Sequence, residues 1–251
     1  MRHLVIPDTQ IKYGEDLTFL TWIGEFIVQK KPDVIIHLGD FADMTSLSSY
    51  DVGKKSFEGQ RYVKDIDAAQ RGMDLLLAPL VNFNLLKKKN KEKQYKPRLV
   101  LTLGNHEQRI ECAINNDPKL EGLISYTDLP YEKWEVHEFL SPVVIDNIAY
   151  CHYFPSGLLG RPISSASCMV SKLHMSCIAG HQQGRQVAYG KKADGTNITC
   201  IIAGSCYEHQ EGYLNKQTNN HWRGLIMLNE VDNGSFDEMF VSLGYLKKKY
   251  G

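Results

Sequence analysis

The chain has 251 residues, and its 29 Lys and Arg are matched by 29 Asp and Glu, so it carries no formal net charge with histidine neutral. That balance excludes a global field drawing the protein onto nucleic acid or a membrane surface, and the length is enough to bury a full core, so a single domain over 1–251 is expected. The opening MRHLVIPD has too short an apolar run for a signal peptide, and no stretch could span a bilayer, which points to a soluble, cytoplasmic protein. In chain order, His3–Ile6 reads as a strand ended by Pro7. Asp8 and Gln10 follow, two apart in an extended segment, so both can reach one ion; alone, a turn aspartate and a solvated glutamine would be the simpler reading. Leu17–Gln29 places Leu17, Leu20, Ile23, Gly24 and Ile27 on one helical face. Pro32 stops that region, and Val34–Leu38 reads as a buried parallel strand. Its sharp loop at Gly39 carries Asp40 at the carboxyl end of the strand, where open α/β sheets build their sites. A right-handed βαβ unit results. His37 reads as a packed core histidine, with a site-facing role as the alternative. Asp43 reads as a helix-start residue or a support for a ligand rather than a ligand itself.

Residues 44–60 are polar and read as a long loop near the site, suited to contact substrate. Tyr62–Leu86 has helical spacing interrupted near Pro79, giving one kinked helix or two short ones. A basic run follows, from Lys87 to Arg98, with Glu92 as its single acid. It is either a solvated surface or a contact for a phosphate backbone. Leu99–Leu103 is another buried strand, ending in Gly104-Asn105-His106-Glu107. Asn105 offers a neutral amide oxygen suited to a divalent metal; His106 cannot easily share that ion while adjacent to it in a turn. Gln108–Trp134 is helical, then irregular. Glu135–Phe139 and Pro142–Asp146 read as strands, and the Asp146-Asn147 turn returns Ile148–Phe154 as the second arm of a hairpin. His152 lies late in that arm, and a core histidine is its simpler reading. Ser164–Leu173 reads as a helix and Met175–Ala179 as a strand leading to Gly180-His181-Gln182-Gln183. His174 precedes that strand, at the wrong end for a site. Cys200–Ala203 ends at Gly204-Ser205. Arg161, Arg185, Tyr207 and His209 read as surface loop residues. The tail forms a hairpin, Gly224–Val231 and Phe236–Leu243, around Asp232-Asn233-Gly234, and residues 247–251 are expected to fray. The six cysteines form no CxxC pair, and Cys151, Cys177 and Cys200 fall in apolar strands as packed, reduced thiols.

Four strand ends share one form: apolar run, turn, metal-ligand residue type. A common metal centre is the economical cause. The set Asp8-x-Gln10, Gly39-Asp40-x-x-Asp43, Gly104-Asn105-His106-Glu107, His152 and Gly180-His181-x-Gln183 resembles the calcineurin-like metallophosphoesterase superfamily, over residues 8 to about 205. Gln10 and Gln183 depart from it, standing where the family usually has histidine. The resemblance implies a four-layer αββα sandwich of two mixed sheets flanked by helices, with a dinuclear site on loops at strand ends. It implies one divalent ion on Asp8, Gln10, Asp40 and Gln183, and a second on Asp40, Asn105, His152 and His181. His106 would contact substrate as acid or charge stabiliser, and Glu107 could orient it. The harder amide oxygens favour Mn²⁺ or Mg²⁺ over Zn²⁺ at the first position, with Mn²⁺ preferred and Fe, Zn and Mg open. The expected activity is hydrolysis of a phosphodiester or phosphomonoester by metal-activated water, on a phosphate-ester substrate that may be a nucleotide or nucleic acid. Two other readings stay open: a nuclease, favoured by the Lys87–Arg98 run, and a non-catalytic binding protein, suggested by the two glutamines.

Overall fold

The computed structural model describes residues 1–210 and 221–251. One sheet has the order β13-β12-β1-β2-β3-β4. Its centre is β1 (His3–Ile6), β2 (Val34–His37), β3 (Arg98–Thr102) and β4 (Glu135–His137), all parallel. The tail hairpin, β12 (Gly224–Asp232) with β13 (Ser235–Ser242), extends it antiparallel through the pairing of β12 with β1. The second sheet has the order β10-β11-β9-β6-β5. It contains the expected hairpin of β5 (Val143–Ile145) and β6 (Ile148–Cys151), then β9 (Ser176–Ala179) and β11 (Asn197–Ala203) parallel to β6. Its edge, β10 (Arg185–Lys191), begins at Arg185, which the sequence had suggested as a loop residue. A small ribbon, β7 (Pro155–Ser156) with β8 (Arg161–Pro162), follows β6.

Side-chain alternation along these strands builds the layers. Leu4, Ile6 and Ile35 face outward onto α1 (Thr18–Lys30) and α2 (Tyr62–Lys89). Val5, Val34 and Ile36 face the other way and meet Ile148, Tyr150, Ile178 and Ile201 of the second sheet. That sheet's outer face, with Ala149, Cys151, Cys177, Ala179, Cys200 and Ile202, packs on Ala166 and Met169 of α4 (Ala166–Leu173). Three apolar interfaces therefore separate four layers, αββα. Each large side chain so buried contributes roughly 1.5–3 kcal/mol against the unfolded chain.

Of the two alternatives at Pro79 the structure has the single helix: α2 runs unbroken through it. There α1 comes so close that a Cβ on Gly24 would lie 2.5 Å from the Leu76 carbonyl and 2.7 Å from the Pro79 ring. Packing of the ring against α1 offsets the missing backbone donor. The tail does not fray: α5 (Leu243–Tyr250) buries Leu243 and Leu246 in the outer core. Helix α3 (Arg109–Asn116) leads into 3₁₀ turns at Pro118–Leu120 and Tyr126–Asp128, the helical then irregular stretch expected up to Trp134.

His37 is a core histidine. It is fully buried, its Nε2 meets Thr9 Oγ1 at 3.2 Å, and its Nδ1 has no partner among the described residues. Burial pushes its pKa down from 6.5 to about 3. Below pH 6.5 the unfolded chain takes up a proton that the native state refuses, so stability falls as pH drops towards 3. A His37→Asn variant should show a stability-versus-pH slope shallower by about 1 kcal/mol per pH unit across the acid range. Urea unfolding at a series of pH values measures it; identical slopes would show that His37 takes no part.

Candidate metal centre

Parallel strands of both sheets end at one place. Asp8 follows β1, Asp40 follows β2, Asn105 follows β3, His152 follows β6 and His181 follows β9. The Asp40 carbonyl accepts from the amides of Thr9 and Gln10 at 3.1 and 2.8 Å, locking the first two loops together. Gly104 then permits the third to close in: a Cβ there would lie 2.1 Å from Asp40 Oδ1, and one on Gly180 would lie 2.6 Å from Asp8 Oδ1. Only glycine lets these loops approach the carboxylates this closely. Gln10, Asp40 and His181 are held at φ of 42, 50 and 62°, a left-handed backbone that side chains seldom adopt. Strain of this kind persists only where the surroundings over-determine it, and it gathers at functional sites.

The groups so placed are donors to a cation. Asp40, His152 and His181 offer atoms all within 4.8 Å of one another. His152 is fully buried; its Nδ1 faces the Leu38 carbonyl at 2.7 Å. That bond holds a proton on Nδ1 and turns Nε2 towards Asp40 Oδ2 at 3.3 Å and Asn105 Oδ1 at 2.9 Å; against burial, Asp40 and Asp8 raise the pKa of this imidazole to about 9. His181 Nδ1 lies 2.8 Å from the same Asn105 oxygen. Asp8 Oδ1 accepts from the His181 amide at 3.0 Å, while its buried Oδ2 has no partner among the described residues. Burial, reinforced by the charge of Asp40 and opposed by His152, raises Asp8 to about 7. Burial would raise Asp40 too, but His106 and His152 outweigh it and hold that carboxyl well below the usual range. The protein meets these two buried carboxylates with histidine and leaves Asp8 Oδ2 without a donor among the described residues. A divalent cation fits this donor set.

Gln10 is buried and lines the adjoining cavity. The Gln183 Oε1 accepts from the Tyr207 hydroxyl at 2.8 Å, so the structure gives this amide a protein partner that the sequence did not reveal. Tyr207, read from sequence as a surface residue, is fully buried.

His106 lines the same cavity, with 16% of its side chain exposed. Its backbone amide donates to Asp40 Oδ1 at 2.9 Å, and its Nε2 lies 3.6 Å from Asp40 Oδ2. Its Nδ1 is in close contact with the Asp43 carboxylate and 3.0 Å from the Asp43 carbonyl. Burial works against the imidazolium, but Asp40 and Asp43 together raise its pKa, with Arg109 opposing. Asp43 therefore orients His106, and Glu107 does not. The Glu107 carboxylate turns inward and accepts the amides of Asp40 and Gly104 on Oε2 at 2.9 and 2.8 Å. On Oε1 it accepts the amides of Phe41 and Ala42 at 2.8 and 3.1 Å and the Tyr131 hydroxyl at 3.0 Å. It clamps the Asp40 loop to the Asn105 loop. Sequence reasoning also missed Arg109, whose Nη1 donates to the Asp43 carbonyl at 2.6 Å; its position three residues after His106, at a helix start, was the available signal.

An αββα sandwich with a buried carboxylate–histidine cluster where strands of both sheets end defines a metallophosphoesterase fold. The family model for calcineurin-like phosphoesterases matches residues 1–154, and the chain belongs to that family. It is thus a phosphoesterase, a hydrolase of a family that generally binds divalent metals and acts on phosphate esters. A comparison with curated proteins finds no match. Among solved structures the chain is similar to Yfce, a phosphoesterase from E. coli, at 11% identity and a TM-score of 0.40, covering 97% of this chain and 100% of that one. It is also similar to a predicted phosphoesterase from Streptococcus pneumoniae TIGR4, at 10% identity and a TM-score of 0.36, covering 97% and 90% of the two chains. No helix among the described residues is long and apolar enough to cross a membrane.

Proposed function

We propose that this phosphoesterase cleaves phosphodiester or phosphomonoester bonds by attack of water, at a dinuclear centre held by Asp8, Gln10, Asp40, Asn105, His152, His181 and Gln183, with His106 as general acid. The observation that carries the reading is the convergence of Asp8 and Asp40, both buried, on His152 and His181, with Asp8 Oδ2 left without a protein partner. Asp40 would serve both ions, and Mn²⁺ is the ion the oxygen-rich donors suit best. Divalent ions bound there supply Lewis acidity, lowering the pKa of water and neutralising charge on phosphoryl oxygens. The chain does the rest. His106, whose pKa Asp40 and Asp43 raise, lines the cavity, where in its protonated form it would give a proton to the leaving oxygen. Asp43 takes up Nδ1 and so fixes the ring's direction. Residues 1–251 act as one domain in this reading, because β12 of the tail completes the sheet beside β1.

We favour a small ester over nucleic acid on the placement of the basic run. The Lys87–Arg98 run joins the end of α2 to the start of β3, whereas Asn105 and His106 follow the other end of that strand. Lys87 pairs with Glu92, and Arg98 pairs with Glu135 at 2.8 Å. A binding protein with a decayed site would not need His106 held by Asp43 at the wall of a cavity.

The test separates acid from ligand. With Mn²⁺ and a chromogenic phosphodiester, His106→Ala should lower kcat by about 10²–10⁴-fold while elemental analysis finds its metal content intact. His152→Ala should lose metal as well as turnover. The reverse pattern, with metal lost from the first variant and kept by the second, would exchange the two roles.

A further inference from the structure

The cavity before Asn105, His106 and His181 has a volume of about 930 Å³, room for a drug-sized molecule rather than a lone phosphate. Much of its lining comes from the segment after β2, including Tyr50, Asp51, Lys54 and Lys55. That segment is tied down: the Ser46 amide donates to Asp65 of α2 at 2.8 Å, and the Ser48 hydroxyl donates to Asp51 at 2.6 Å.

The charge of this lining is uneven. Lys12, Lys54, Lys55 and Arg109 contribute four positive charges, and Asp43 and Asp51 contribute two negative ones. Two positive charges are left over, with His106 uncounted, on a chain of zero formal net charge. The single Asp43 carboxylate is shared by Lys12 at 3.1 Å, Arg109 at 3.5 Å and His106. Lys54 meets Asp51 at 2.9 Å, while Lys55 has no acidic partner among the described residues. Cations gathered in a concave wall are screened less than cations scattered over a surface, and their field concentrates anions there.

A substrate with one phosphate would place it against Asn105 and His106 and leave Lys54 and Lys55 unused. The geometry points to a second anion subsite: Lys54 and Lys55, on the arm between β2 and α2, hold a further phosphate group of a substrate that carries at least two. Tyr50, 84% exposed at the same wall, offers an aromatic face for a planar group between or beside those phosphates. The substrate class is therefore a multiply phosphorylated ester, a nucleotide bearing two phosphates being the simplest example. This inference rests on the phosphoesterase reading above and specifies its substrate.

Two chromogenic esters differing by one group test it: thymidine 5′-(p-nitrophenyl phosphate) with and without a 3′-phosphate, assayed with Mn²⁺. In the wild type the 3′-phosphate should raise kcat/KM by about tenfold or more, mostly through KM, and added salt should shrink the advantage. Lys54→Ala with Lys55→Ala should erase the ratio between the esters, and Lys54→Glu with Lys55→Glu should invert it. Both positions are exposed, and circular dichroism of each variant checks that the fold is intact. A wild-type ratio near one, or a ratio that survives both double variants, overturns the subsite. Failure to cleave either diester while p-nitrophenyl phosphate is cleaved overturns this inference alone; failure on all three with any divalent metal overturns the phosphoesterase mechanism, and this inference falls with it.

Discussion

Asp40→Asn is expected to remove turnover of every phosphate ester, by about 10³-fold or more. The carboxylate stands where both groups of donors meet, with Oδ1 on the His106 amide and Oδ2 beside His152. An amide there supplies one oxygen and no charge, so it cannot serve two cations. The backbone is not the reason for the loss: Asp40 sits at φ 50°, and Asn is among the few residues that tolerate that region. Removing the charge also relieves Asp8, whose carboxyl burial and Asp40 both push up. It also takes from His106 and His152 the carboxylate they hold ionised, so by linkage the metal-free variant should melt below the wild type. Calorimetry of the stripped protein, run beside the turnover assay, separates the two effects. Near-wild-type turnover would remove Asp40 from the mechanism.

Glu107→Gln should strike mainly at folding. The carboxylate accepts four backbone amides and one phenol. A glutamine replaces one accepting oxygen with an NH₂ that points at donors, whichever way the amide is turned. At least two buried N–H groups lose their partner, at about 1–3 kcal/mol each, against a total stability of ~5–15 kcal/mol for a typical domain. Tyr131→Phe removes one donor and leaves the carboxylate its amides, so it should cost about 1 kcal/mol. Urea unfolding midpoints give both numbers. If Glu107→Gln unfolds with the wild type, the clamp is not what holds the Asp40 and Asn105 loops together.

What could be read from sequence was what local chemistry decides. Runs such as Val34–Leu38 and Leu99–Leu103, each closed by glycine, announce buried parallel strands, and Asp40 and Asn105 must then stand at their carboxyl ends. The alternation of Leu4 and Ile6 against Val5, which separates two layers of the core, is also local. What could not be read depends on chain segments far apart. Asp43 orients His106 across 63 residues, whereas the neighbouring Glu107 invited the wrong pairing and in fact faces away. Tyr207 reaches Gln183 only once β11 has passed beside β9. The Lys-rich tail looks frayed until α5 is seen to bury Leu246 beside α1, with a Lys247–Glu208 pair at 2.9 Å on its surface. Pro79 left one helix or two open on paper, and α2 continues because Gly24 of α1 leaves a place for the ring.

The most direct test is to count ions and turnover together. The protein is stripped with a chelator, then titrated with Mn²⁺ while bound metal and hydrolysis of a chromogenic phosphodiester are followed in the same samples. Turnover should be absent from the stripped protein and should rise as about two ions bind per chain, with Asp40→Asn binding fewer ions and gaining no activity. Full turnover by metal-free protein, or equal metal binding by wild type and Asp40→Asn, would contradict a centre built on Asp40.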